Sequence, residues 1–259
     1  WSVGAEIHRA ILSREGERPF GLGSNTFFSL FTKKDPSDYF DGEGFSLYTR
    51  QKVGDELSVE LRYLDEQQRS VKVNTEFSLF NPSARFRPNP LILDGHMRST
   101  AILLRYDTRK LIQFGPFNVP DETYDSWNVS ADVEYADQPL LKSDFTFLRS
   151  SLMVHVRKHL LGDRSFSLYA RVGYAGHALP PQRLFDLPYG SNDLVPLGAF
   201  KTLSVKEFAG DRMAQLMLEW NLSGMFFRYV NLPIIRDLQF ILCSGSGWSD
   251  LSPSSARGA

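Results

Sequence analysis

The sequence predicts an all-β chain built as a transmembrane antiparallel β-barrel, and three observations predict it. Apolar and polar residues alternate with a period of two, tight turns alternate with long loops, and aromatic residues recur near the ends of the apolar rows. Successive side chains of a strand point to opposite faces, so this alternation marks strands whose two faces meet different surroundings.

The alternation is clearest in four segments. Leu57, Val59, Leu61 and Tyr63 oppose Ser58, Glu60 and Arg62, and Val129, Ala131, Val133 and Tyr135 oppose Asn128, Ser130, Asp132 and Glu134. The rule holds again over Ser165–Tyr174 and Met213–Trp220. Further strands are expected over Ser2–Leu12, Thr26–Phe31, Gly44–Val53, Ser70–Phe80, Arg98–Asp107, Phe145–Arg157, Phe200–Phe208 and Asp237–Ser244. About twelve strands of roughly 10 residues make a barrel-sized set, whereas strands of ordinary sheets average about 5–6.

Connections carry matching turn chemistry. Val53-Gly54-Asp55-Glu56 and Leu161-Gly162-Asp163-Arg164 read as tight hairpins, with glycine free to take positive φ. The longer links Asp35–Gly44, Asn81–Gly95, Gly115–Ser126 and Gly176–Gly198 are rich in Pro, Asp, Asn and Gly. Short turns on one rim and long loops on the other are usual in membrane barrels. One short helical turn is expected over Leu232–Leu238, begun by Pro233.

Composition narrows the alternatives. No apolar run reaches the ~18 residues of a membrane helix, but barrel strands need only about 9–11 and hide inside an average composition of 42% hydrophobic and 23% charged residues. The 29 basic and 30 acidic residues are intermixed, giving a net charge of −1 and no basic field for nucleic acid. Cys243 is the one cysteine, which excludes an internal disulfide and a cysteine-rich metal site. His155 and His159 have the spacing of helical zinc ligands, yet on a strand they would stand about 13 Å apart. Gly21-Leu22-Gly23 and Gly245-Ser246-Gly247 lack the following helix a phosphate cradle needs, and Ser143, Ser150 and Ser151 near His155 form no nucleophile elbow. No catalytic, cofactor or metal residues are expected.

Alternation by itself fits a soluble ligand-binding sandwich or a barrel in lipid, since the barrel simply turns the apolar face outward. The aromatics Tyr63, Tyr106, Tyr135, Tyr174 and Trp220 near strand ends favour a membrane belt. Mixed charges on the opposite face (Glu60, Arg62, Arg105, Asp132, Glu134, Arg157, Arg171, Glu219) favour a wet lumen. The opening Trp1–Leu12 already reads as a strand, so residues 1–251 are expected to be part of a larger, incomplete barrel. Residues 252–259 read as a disordered or truncated tail.

From Phe145 to Leu251 the chain resembles the Omp85 superfamily, the surface-antigen barrels of bacterial outer membranes. The resembling residues are Gly173-Tyr174-Ala175-Gly176-His177-Ala178-Leu179-Pro180-Pro181-Gln182-Arg183-Leu184-Phe185, Gly198-Ala199-Phe200-Lys201-Thr202, Glu207-Phe208-Ala209-Gly210-Asp211-Arg212, Leu218-Glu219-Trp220-Asn221 and Leu232-Pro233-Ile234-Ile235-Arg236-Asp237-Leu238. Within the superfamily it looks closest to the DUF5686 barrels that follow a carboxypeptidase-regulatory-like domain. The resemblance implies a barrel that inserts or translocates proteins, or else a passive pore or membrane anchor. Its implied partners are outer-membrane lipid, substrate polypeptides and periplasmic domains or lipoproteins.

The resemblance also implies a loop, here Gly176–Lys201, folded into the lumen with an Arg-Gly-aromatic tip against a strand carrying Asp and Gly. Phe200 takes the aromatic place, while Gly198-Ala199 stands where Arg-Gly is expected and Ser244 where the aspartate is expected. The candidate loop and lock residues are Arg183, Phe185, Phe200, Asp211, Arg212, Gly245 and Gly247. Arg183 reads equally as a lumen anchor or a loop arginine in water. Glu207, Asp211 and Arg212 read as a charged cluster around Gly210, either a salt-bridge network or a substrate contact.

Overall fold

The structure is a computed structural model. It describes all residues except 14–25, 28, 32, 34, 36, 73–76, 81, 82, 84, 116, 122, 161, 190–197, 201, 204–206, 226, 228, 230–237 and 257–259. The strands are β1 (Ser2–Ser13), β2 (Tyr39–Val53), β3 (Leu57–Ser70), β4 (Gly95–Asp107), β5 (Leu111–Phe114), β6 (Phe117–Pro120), β7 (Ser126–Ala136), β8 (Phe147–His159), β9 (Ser165–Ala175), β10 (Phe185–Asp186), β11 (Ala209–Gly210), β12 (Arg212–Asn221) and β13 (Ile241–Asp250). Nine of them form one antiparallel sheet in the order β1-β2-β3-β4-β7-β8-β9-β12-β13, and β5–β6 and β10–β11 are separate two-stranded ribbons. The edges β1 and β13 are not paired with each other.

The sheet is inverted relative to a soluble protein. Its apolar face is open, with Ile7 88%, Leu61 49%, Ile102 49%, Val133 44% and Leu216 44% exposed. Its polar face holds Glu60, Glu66, Gln68, Glu134, Arg149 and Gln215 in burial. No second sheet covers the open face among the described residues, so the sandwich reading is set aside.

The registers place the outward aromatics in two belts. Phe45, Tyr63, Tyr135, Tyr174 and Trp248 lie toward one rim, and Tyr106, Trp127, Phe166 and Trp220 toward the other. From Trp127 to Tyr135 along β7 is about 26 Å at ~3.3 Å per residue, matching an apolar band of about 25 Å. Outward charges sit at or beyond the belts: Asp65 with Arg98, Arg212 over the Tyr174 ring, and Lys158 with Asp125. Replacing Ile102 by arginine puts a charge inside the band and costs about 2–4 kcal/mol. The expected result is loss of the folded, heat-modifiable band on a gel, while Ser130→Arg on the inner face keeps it.

Several expected elements differ. Residues 26, 27 and 29–31 are helical, where a strand was expected over Thr26–Phe31. The Ser70–Phe80 strand is absent among the described residues, because β3 itself runs on to Ser70. Among the described residues of Phe200–Phe208 no strand is found; Phe200 makes an isolated bridge to Tyr189, and Ala209–Gly210 pairs as β11. Gly21–Gly23 and most of Leu232–Leu238 lie outside the described residues. The tight turns hold, with Gly54 at φ 67° and Gly162 at φ 73°. The long link that includes Gly115–Ser126, however, leaves β4 on their rim, and the β5–β6 ribbon lies between β4 and β7.

Two carboxylates organise connections on the opposite rim. Asp137 accepts the N–H groups of Leu140 and Leu141. Burial pushes its carboxyl up, but these bonds and the Tyr135 hydroxyl outweigh burial and hold it below the usual range. Asp211 binds the segment after β13. Ser252 N–H at 3.2 Å, the Ser252 hydroxyl and the Ser255 hydroxyl at 2.7 Å all donate to it. The segment then makes a helical turn over Pro253–Ala256, with Ser255 1% exposed.

Candidate functional site

The chain leaving β9 turns onto the polar face of the sheet. Pro180 and Pro181 start a 3-10 turn over Pro181–Arg183, in keeping with the fixed φ of proline. Leu184 returns the backbone to an extended form. Phe185–Asp186 then pairs with Ala209–Gly210, and the Leu187 N–H donates to the Phe208 carbonyl at 3.0 Å. Backbone groups thereby find partners away from water, which a buried segment requires. Leu179 through Tyr189 are all buried.

An apolar core fixes this segment. Phe185, 1% exposed, joins Met97, Ala136, Phe147, Ala175, Leu179, Leu184, Leu187 and Met213 in one cluster. The ring needs the bare backbone of Gly173, where a Cβ would stand 2.8 Å away, and the Arg149 guanidinium covers it at 4.5 Å from the centroid. Burial also pushes the Tyr189 phenol well up from its usual value.

Charged contacts supply direction. Arg183 Nη2 lies 3.4 Å from Glu134 Oε1 on β7, with both side chains under one-tenth exposed. The Ser99 hydroxyl donates to the same oxygen at 2.7 Å. Next to them Arg149 faces Asp132 at 3.6 Å. Arg183 is therefore an inner-face residue rather than a loop arginine in water.

The farther part of the segment packs on β12 and β13. Gln215 Nε2 donates to the Gly198 carbonyl, and Gly198 takes φ 87° with its Cα against the Tyr169 ring. Phe200 lies over the two inward glycines of β13. A Cβ on Gly245 would be 3.2 Å from its ring, and one on Gly247 2.8 Å from it and 3.1 Å from Leu187. Ser244 alternates with Gly245 and so faces outward, so a carboxylate at that position would not reach the segment.

The structure thus brings Arg183, Phe185, Phe200, Gly245 and Gly247 to one face. Asp211 joins them only through Ser255, whose hydroxyl accepts the Leu179 N–H at 3.0 Å. Arg212 points the other way, onto Tyr174 and toward Asp250 at 3.9 Å. The expected cluster of Glu207, Asp211 and Arg212 is therefore split by strand alternation. Sequence reasoning missed Gln68, Gln182 and Gln215, neutral amides that carry no charge or catalytic signature. It noted Glu134 only as one inward charge. The apolar run in Leu179–Leu187 was the available signal for a buried loop.

An inverted antiparallel sheet with two aromatic belts and a segment folded on its polar face defines the fold class of transmembrane β-barrels. No family model matches the chain, and no curated protein matches it. Among solved structures it is similar to BamA from Haemophilus ducreyi lacking POTRA domains 1–3, with a TM-score of 0.50 and 12% identity. The match covers 95% of this chain and 46% of that one, so the chain spans about half of that structure. This likeness shows a barrel fold of the kind seen in that BamA structure.

Proposed function

We propose that the chain is part of a bacterial outer-membrane barrel of the surface-antigen type that inserts polypeptides into the membrane or moves them across it, without covalent chemistry. The observation that carries the reading is the inward segment, bound to a charged, buried inner face by Arg183–Glu134 and by Phe200 over Gly245 and Gly247. A barrel that only anchors another domain has no need of such a strut. The closer resemblance to DUF5686 barrels belongs to the same proposal. Its partners would be outer-membrane lipid, substrate polypeptides and periplasmic domains or lipoproteins. A lumen of mixed charge, with a cavity of about 680 Å³ beside Arg183, suits the backbone and varied side chains of an extended polypeptide.

Planar-bilayer conductance of the full-length protein tests the reading. Replacing residues 177–199 by a short Gly/Ser linker is expected to convert a low, flickering conductance into a larger, steady one. Equal conductance with and without the segment would sink the strut.

A further inference from the structure

A run of buried hydrogen bonds joins the inward segment to the edge strand β1 and skips the strand between. Gln182, 1% exposed, sits on the 3-10 turn with its amide oriented by the backbone of Leu93. The Leu93 N–H donates to Oε1 at 3.3 Å, and Nε2 donates to the Leu93 carbonyl at 3.0 Å. Nε2 also donates to Gln68 Oε1 at 2.9 Å. Gln68, wholly buried, must then turn its own Nε2 to Glu66 Oε1, 2.6 Å away. The second oxygen of Glu66 lies 2.6 Å from Nε2 of His8 on β1.

Strands β1 and β3 are not neighbours, and two strand spacings are roughly 9.6 Å. Glycines in β2 open the way. Gly44 is the register partner of both His8 and Glu66. A Cβ on Gly42 would stand 3.1 Å from the Glu66 carboxylate and 2.5 Å from Leu12. Side chains from both flanking strands thus meet over a bare stretch of β2.

We infer that this run couples the seating of the inward segment to the docking of β1. Each glutamine has one donor end and one acceptor end, so the orientation imposed at Leu93 passes along to Glu66. Moving Gln182 away leaves Gln68 Oε1 buried without its donor, and a buried group without a partner is costly. Gln68 then turns, and Glu66 loses the donor that holds it toward His8. The coupling is reciprocal, as any linkage between two equilibria must be, so loosening β1 also loosens the turn. The inference relies on the strut reading for its consequence alone; its test reads strand docking, so it fails or stands apart from the conductance result.

Amide hydrogen exchange on the full-length protein in micelles measures the coupling. Gln182→Glu keeps the size but sets two acceptors against Gln68 Oε1 and the Leu93 carbonyl. Exchange of the β1 amides over Ser2–Ser13 should quicken about tenfold, the scale of one buried bond to a charged group. Exchange in β12 should stay as it was. His8→Ala should quicken exchange at Arg183 and Leu184, and the double variant should add nothing to the larger single effect. Unchanged β1 exchange in Gln182→Glu, unchanged Arg183 and Leu184 in His8→Ala, additive effects, or equal acceleration of β12 would each overturn the inference.

Discussion

Arg183→Met lowers the temperature at which the folded, fast-migrating form is lost by roughly 10 °C. The methionine keeps most of the aliphatic contact but leaves the Glu134 carboxylate buried, with the Ser99 hydroxyl still donating to it at 2.7 Å. Removing one member of a buried ion pair costs about 3–5 kcal/mol, since the other charge stays out of water without compensation. For a chain near this length, each kcal/mol is worth about 2–4 °C. The double variant Arg183→Met with Glu134→Gln should regain most of the loss, because a neutral amide can keep the Ser99 bond. Arg183→Lys should regain little, since its single ammonium does not reproduce the guanidinium's spread of donors. A loss equal in the single and double variants would mean that shape, not charge, holds the turn.

The strands were readable because alternation is a local property. Nine of the expected segments match main-sheet strands, with ends shifted by a few residues, as at Gly44–Val53, which begins at Tyr39. Orientation was harder, since Leu57–Tyr63 alternates identically whichever face meets water. What separates the two cases is where the outward charges stop. Arg98 and Arg212 lie at or beyond the belt, and none lies between the belts, yet this becomes visible only once the registers align the strands. Thr26–Phe31 misled for the opposite reason: an apolar run too short to show its period fits a helical turn as well as a strand.

The site was partly readable. Arg183, Phe200, Gly245 and Gly247 follow from the resemblance and come together. The carboxylate for Arg183 does not follow from it. Glu134 lies on β7 rather than on the strand carrying Ser244, and only the path of residues 179–189 across the inner face selects it. Gln68 and Gln182 were hidden because a glutamine, whether in a strand or in a loop, reads as solvated. Both are among the most buried residues of the chain. An inner face that is half-buried at Arg171 and fully buried at Phe147 and Met97 has no single compositional signature.

Gly173→Ala should destabilise the protein, against the direction that strand propensity dictates. Glycine weakens a strand interior, and on that ground alanine would gain up to about 1 kcal/mol. Space decides otherwise. The new methyl would stand 2.8 Å from three carbons of the Phe185 ring, which cannot retreat, being buried with the Arg149 guanidinium on it. Overpacking of this kind costs about 1–3 kcal/mol, and here it acts on the seat of the inward segment. Phe185→Ala alone should cost about 3–5 kcal/mol by leaving a cavity. The two changes share one volume, so they should not add: in the Phe185→Ala background the Gly173→Ala methyl enters vacated space and is neutral or stabilising. Thermal loss of the folded band in the four proteins measures the cycle. Strict additivity would place the ring elsewhere than over Gly173 and would leave the segment's apolar anchor to Leu179, Leu184 and Leu187.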